Sequence, residues 1–265
     1  MNKDEIAELV KNKALHIKQK KANMKVADGV YIKDTSTIET VKKKSTNKNQ
    51  VEATVVINTT NLFDSHDDVH INGLWNKSLK ETRGLIHLQE HQMSFDKVIS
   101  DGDDLKAHTV KVTWAELGYD FEGSSEALIF DSTIKRDRNE FMMLQYNAGN
   151  VKNHSVGMQY VKMELAVNDK DYKDELATWD KYYDRIANKS DVDEAGYFWA
   201  ITEAKVIEGS AVLSGSNWAT PTLEVKNIEP GQPTRNKYEA MFNEPSTGTQ
   251  FTGEEIDNIY KQLKF

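Results

Sequence analysis

The chain has 265 residues and no cysteine. That excludes disulfides, a thiolate nucleophile and cysteine-ligated zinc, so a nucleophile would have to be Ser, Thr or a carboxylate, and a metal would need His, Asp or Glu. No stretch approaches 18 uninterrupted apolar residues, and Met1-Asn2-Lys3-Asp4-Glu5 lacks the apolar segment of a secretory signal. Neither a membrane partner nor export is therefore expected. Proline is scarce, and all four, Pro221, Pro230, Pro233 and Pro245, lie after residue 220, which marks an irregular C-terminal tail.

Hydrophobic residues make up 38% and charged residues 29% of the chain. This supports one packed core with solvated ends. The net charge of -8 is unevenly spread, because residues 1–50 carry twelve lysines against six acids. A basic arm of this kind is able to dock on acidic protein or nucleic acid. Lysine-rich termini are more commonly just solvated, and nucleic acid is not the expected partner.

Residues 4–21 place Ile6, Val10, Ala14 and Ile17 at helical spacing, an amphipathic helix that needs a partner surface. Residues 33–50 read as a polar linker, so the folded core is expected to begin at Val51. From there the pattern changes to β-rich runs: Val51 to Ile57, Leu85 to His91, His108 to Trp114, Ala127 to Phe130, Ser155 to Leu165 and Tyr197 to Leu213. Helices are predicted from Arg138 to Ala148, stopped by Gly149, and from Asp171 to Asn188. The second carries Tyr172, Leu176, Trp179, Tyr183 and Ile186 along one face, read as core packing. Residues 252–265 open with a capping sequence and close the chain as a helix. The expected organisation is a basic helix and linker over 1–50, a core over 51–226, and a tail over 227–265. The expected fold is α+β, a β-barrel-like core of mostly antiparallel strands surrounded by helices, with helical extensions at both ends.

Four of the seven histidines, His66, His70, His87 and His91, fall close together, and acid–base or metal chemistry is to be sought there. His87-Leu-Gln-Glu90-His91 matches the H-x-x-E-H pattern of zinc proteases, which requires a helix. Gly84 and the alternation of Ile86 and Leu88 against His87, Gln89 and His91 favour a strand, on which the two imidazoles could not share an ion. The other reading is a hydroxyl nucleophile with a histidine base, for which Asn153-His154-Ser155-Val156-Gly157 offers a candidate. On a strand Ser155 and Gly157 share a face opposite Val156, Met158 and Tyr160, and Gly157 leaves room for a substrate backbone or the base. His154 faces away and reads as structural or solvent-facing. Asp64, His66, Asp67 and Asp68 are a possible cation site, with an acidic turn entering a helix as the simpler reading. His87 is the alternative base, while His16 and His108 carry no role.

Four segments in order strengthen the nucleophile reading. Asp64-Ser-His-Asp67-Asp-Val69, then Asn72-Gly-Leu-Trp75 and Ser78-Leu79, resembles a D-S-H-G-D-V segment with its G-A-F and S-L continuation. Glu90-His91 before Phe95-Asp-Lys-Val-Ile99 is similar to a catalytic histidine stretch. His154-Ser155-Val-Gly157-Met resembles an L-S-I-G-F serine strand, and Val206-Ile-Glu208-Gly209-Ser210-Ala-Val, then Asn217-Trp-Ala-Thr-Pro221, resembles W-E-I-S-L-V followed by P-A-N. Together they resemble the capsid-maturation (prohead) serine proteases of tailed bacteriophages, relatives of the herpesvirus assembly protease. The likeness covers roughly residues 51–225. Asp67 stands where that family usually has Gly, Gly209 where a β-branched residue is common, and the 171–188 helix looks inserted.

The resemblance implies a serine endopeptidase with Ser155 as nucleophile, His91 as base and Glu208 as the acid that orients it. Glu203 is a local rival, which strand phase would place on the opposite face. It also implies capsid and scaffold proteins as substrates, self-trimming, a place inside the immature procapsid in the host cytoplasm, and an open question of homo-oligomerisation. No cofactor and no metal are called for. An H-x-x-E-H zinc protease and a non-enzymatic scaffold protein with a protease-like core are the alternatives.

Overall fold

A computed structural model describes residues 2–22, 41–45 and 49–228, with 41–45 and 227–228 described by backbone alone. The tail over 229–265, including the helix expected at 252–265, and most of the expected linker lie outside the described residues. Chain contacts group Met1–Glu229 as one unit.

The strands are β1 (Val41–Ser45), β2 (Gln50–Thr59), β3 (Asp68–His70), β4 (Ile86–Gln89), β5 (Val98–Asp101), β6 (Leu105–Thr113), β7 (Ser124–Lys135), β8 (Asn153–Val167), β9 (Tyr197–Val212) and β10 (Thr222–Ile228). The helices are α1 (Lys3–Lys11), α2 (Lys13–Ala22), α3 (Asn76–Glu81), α4 (Arg136–Ala148), α5 (Lys173–Tyr182) and α6 (Lys189–Ala195). This is the expected α+β class with mostly antiparallel pairing. The strands form two five-stranded sheets, and no barrel closes among the described residues.

The first sheet runs β1-β10-β2-β7-β6. In β2 the alternation Val51, Ala53, Val55, Ile57 faces one core cluster with Leu128, Phe130 and Ile134 of β7. Val56 on the opposite face joins Ile129, Trp114 and Trp218 in another. Both faces of this strand are therefore buried. β1 is a correction: the segment read as linker pairs in parallel with β10 from Val41 to Ser45, so the sheet begins before Val51.

The second sheet is organised by β9. β8 pairs antiparallel along its whole length, from Val167↔Tyr197 to Asn153↔Val212. A strand has only two edges, so β3 and β4 must share the other, β3 at residues 199–201 and β4 at 209–211, both in parallel. Val156, Met158 and Tyr160 of β8 point into the core with Val206 of β9, which leaves Ser155 and Gly157 on the reverse face. The two sheets press closely at Gly209, where a Cβ would stand 2.6 Å from Phe130 Cε2 and 2.9 Å from Ile57 Cδ1. That contact leaves no room for a side chain at position 209.

The N-terminal helix is split at Asn12 into α1 and α2. Its apolar stripe finds its partner on the same unit: Ile6, Leu9, Val10 and Ile17 pack against the main core cluster. Lys13 Nζ lies 2.5 Å from Glu175 Oε1, and Lys20 Nζ lies 2.5 Å from Asp68 Oδ1. Residues 2–22 are thus docked rather than a solvated arm. α4 ends as expected at Gly149, whose φ of 79° is the left-handed stop that glycine favours. The helix expected over 171–188 is shorter, and α6 follows it separately.

Candidate active site

β4 ends two residues earlier than its alternation suggests. Glu90 and His91 take φ values of 53° and 56°, a left-handed pair with no glycine, in which each residue costs about 1–2 kcal/mol. Tertiary bonds hold it: Glu90 N donates to Ala211 O at 2.9 Å and His91 N to Ser210 Oγ at 3.1 Å, both on β9. The turn lifts His91 out of the strand phase, so the expected common face of His87 and His91 does not form. The H-x-x-E-H segment is strand and turn, without the helix that a shared metal ion would require.

Across β9, Ser155 of β8 stands directly opposite Ser210, and Gly157 opposite Glu208. Residues facing each other in an antiparallel pair point to the same side, so the four positions form a patch on one face of the two strands. His91 covers it. Glu208 is fully buried; its Oε1 lies 2.6 Å from His91 Nδ1 and its Oε2 accepts from Ser210 Oγ at 2.6 Å. A carboxylate only accepts, so Nδ1 supplies the hydrogen of this bond, and in a neutral imidazole that arrangement makes Nε2 the acceptor. His91 Nε2 is buried with no hydrogen-bond partner among the described residues. The Ser155–His91 hydrogen bond is therefore not closed in this structure. Apo sites commonly hold such pairs loosely and tighten them on the substrate.

Gly157 does something other than expected. A Cβ there would stand 1.9 Å from Glu208 Oε1, so the space is filled by the carboxylate rather than by substrate or base. A β-bulge adjoins this point, because Gly157 pairs with Glu208 and Met158 with Val206, leaving Ile207 unpaired. Bulges of this kind re-aim a neighbouring side chain. The bulge also breaks the phase count used to separate the two glutamates. Position separates them instead: Glu203 Oε2 pairs with Lys162 Nζ at 2.5 Å and Oε1 with Lys77 Nζ at 3.5 Å.

The loop after β9 folds back over β8. Thr220 Oγ1 donates to His154 O at 2.6 Å, and a Cβ on Gly215 would approach Ser155 Cβ to 3.4 Å. Ser155 itself is only 6% exposed. The sequence carries Gly215 and Thr220 without any signal of this closure.

His154 and His87 are structural. His154 Nδ1 donates to Thr220 O at 3.0 Å, which makes its Nε2 the acceptor for Tyr146 OH at 2.9 Å. Tyr146 OH then accepts from His87 Nε2 at 3.2 Å, and His87 Nδ1 accepts from Ser132 Oγ at 2.9 Å. Such a chain needs both imidazoles neutral. Burial does this, pushing His154 down to about 4 and His87 well below the ordinary histidine value. His87 is therefore not an alternative base.

The Asp64 to Asp68 segment is a turn that enters β3 rather than a helix. Asp67, at φ 59°, takes the left-handed conformation that glycine would favour, and its carboxylate accepts from Tyr197 OH at 2.6 Å. Asp64, His66 and Asp68 each bring a ligand-capable atom within 4.8 Å of the others, and Lys20 brings positive charge to the cluster through its ion pair with Asp68. Burial, then the neighbouring Asp68, push Asp64 up to about 8. The cluster meets β9 near Trp199, eleven residues from Ser210, roughly 35 Å along a strand. His70 is buried and pushed down to about 3 by that burial, with Nδ1 2.9 Å from Asn58 Nδ2. His16 lies near Trp199 and His108 near Asp131.

No family model, curated protein or solved structure matches this chain.

Proposed function

We propose that the chain is a serine endopeptidase of the prohead-protease type, with Ser155 as nucleophile, His91 as general base and Glu208 as the residue that orients it. The observation that carries this reading is the 2.6 Å contact between His91 Nδ1 and Glu208 Oε1, with Nε2 buried and without a hydrogen-bond partner among the described residues, and with Glu208 sharing the strand face of Ser155. His91 Nε2 takes the Ser155 hydroxyl proton as Oγ attacks a peptide carbonyl, and the imidazolium then protonates the leaving amine. Water, activated by the same imidazole, clears the acyl-enzyme. Buried Glu208 fixes the tautomer and offsets the charge of the imidazolium.

The left-handed turn at Asp67 supports the likeness, because it explains why a glycine pattern fits that position. By that likeness the substrates are capsid and scaffold proteins, and cleavage takes place inside an immature procapsid in the host cytoplasm. The test is incubation of the purified chain with its cognate capsid and scaffold proteins, followed by intact mass. Site-specific cleavage by the wild type and none by Ser155→Ala is expected. Equal processing by both would refute the assignment, and no cleavage by either would favour a non-enzymatic scaffold role.

A further inference from the structure

Ser210 belongs to a segment whose sequence points to Glu208, and nothing in that sequence gives the serine a task. It is fully buried and stands directly across the β8–β9 ladder from Ser155. A hydroxyl offers one hydrogen and two lone pairs, and two of these are committed to the site. The hydrogen goes to Glu208 Oε2 at 2.6 Å and a lone pair takes the His91 backbone N–H at 3.1 Å.

We propose that Ser210 is a positioning residue that fixes both ends of the His91–Glu208 pair. This rests on the reading of His91 as base and Ser155 as nucleophile. One end is the backbone of His91, held in a left-handed conformation that an isolated histidine does not favour. The Glu90 amide is tied to Ala211 O at 2.9 Å, so consecutive residues of β9 clamp consecutive amides of the turn. The other end is the Glu208 carboxylate: with Oε2 held by Ser210, Oε1 is presented to Nδ1. The Ser210 proton is thereby committed away from Ser155, so the hydroxyl facing the nucleophile does not compete with it for the imidazole. Alanine at 210 would release the carboxylate and leave a buried amide unpaired in one step.

The experiment compares wild type, Ser210→Ala and Ser210→Cys by the rate of labelling with a fluorophosphonate, which reacts with activated serines, and by the low-field proton resonance of His91 Nδ1–H. Cysteine keeps nearly the same volume but is a weak donor, so it stands in if the alanine variant fails to fold. The expected result is a folded variant labelled about ten- to a hundredfold more slowly, with the His91 resonance broadened or lost. Wild-type labelling together with an unchanged resonance, in whichever variant folds, overturns the proposal. If the wild type itself is never labelled, the serine-protease reading fails. The resonance then still decides the proposal, since loss in the variants supports the clamp and persistence refutes it.

Discussion

The Glu208 carboxylate lies over Gly157, with only 1.9 Å between Oε1 and the place a Cβ would occupy. Gly157→Ala is expected to displace that carboxylate, because a Cβ would also stand 2.7 Å from its Cδ and 2.9 Å from its Cγ. Labelling of Ser155 should fall by roughly a hundredfold or more, with a stability loss of about 1–3 kcal/mol from the buried polar groups left unpaired. Gly209→Ala is its counterpart. There the obstructing atoms are Phe130 and Ile57 of the core, so the expected effect is a stability loss of about 1–3 kcal/mol from overpacking. Thermal denaturation and labelling rates on both variants check the contrast.

The two glutamates of β9 should differ sharply. Glu208→Gln removes the charge facing His91 Nδ1 and is expected to slow turnover roughly a thousandfold or more. Glu203→Gln weakens only contacts with Lys162 and Lys77, which sit at the surface, and such pairs contribute about 0–1 kcal/mol. Its activity should match the wild type.

Stability should peak near pH 6.5. His70 and His154 are held neutral in the fold, at about 3 and about 4 against 6.5 unfolded, and His87 is lowered likewise. The unfolded chain thus binds more protons below 6.5, and their contribution, complete above that pH, is lost as pH falls toward 4 and 3. Asp64 acts in the opposite sense, raised from 3.8 to about 8. Its folded form holds the extra proton, so its contribution is present below the unfolded value and is lost as pH rises toward 8. Urea denaturation from pH 4 to 9 should show a rise, a maximum and a decline, and Asp64→Asn should flatten the decline. A free energy still climbing from pH 6.5 to 8 would contradict this.

Tyr146→Phe is expected to cost about 1–3 kcal/mol, the penalty for buried polar groups left without a partner. Its hydroxyl joins His154 Nε2 on β8 to His87 Nε2 on β4, the strand that leads to His91. Chemical denaturation measures the loss.

The alternation of β2, β8 and β9 was readable because each buries at least one complete face, and α4 because Gly149 ends it. β1 was not, since Lys42-Lys43-Lys44 reads as solvated chain and only an edge position beside β10 makes a strand of it. The amphipathic stripe of residues 4–21 showed that a partner surface exists, but not that it lies on the same unit. In the site, Ser155, His91 and Glu208 were named from ordered segments, and the fold brings the latter two into contact. The left-handed turn at Glu90 and His91 carries no glycine signal, because bonds from β9 impose it. The relation of Gly157 to Glu208 depends on cross-strand register and a bulge, neither visible along a single segment.

The most direct test of the central claim is fluorophosphonate labelling of the purified chain, with the modified residue located by peptide mass spectrometry. The account predicts one label per chain on Ser155, abolished in His91→Ala and Ser155→Ala while both variants stay folded. Absence of label on the folded wild type, or a label that persists in Ser155→Ala, would contradict it.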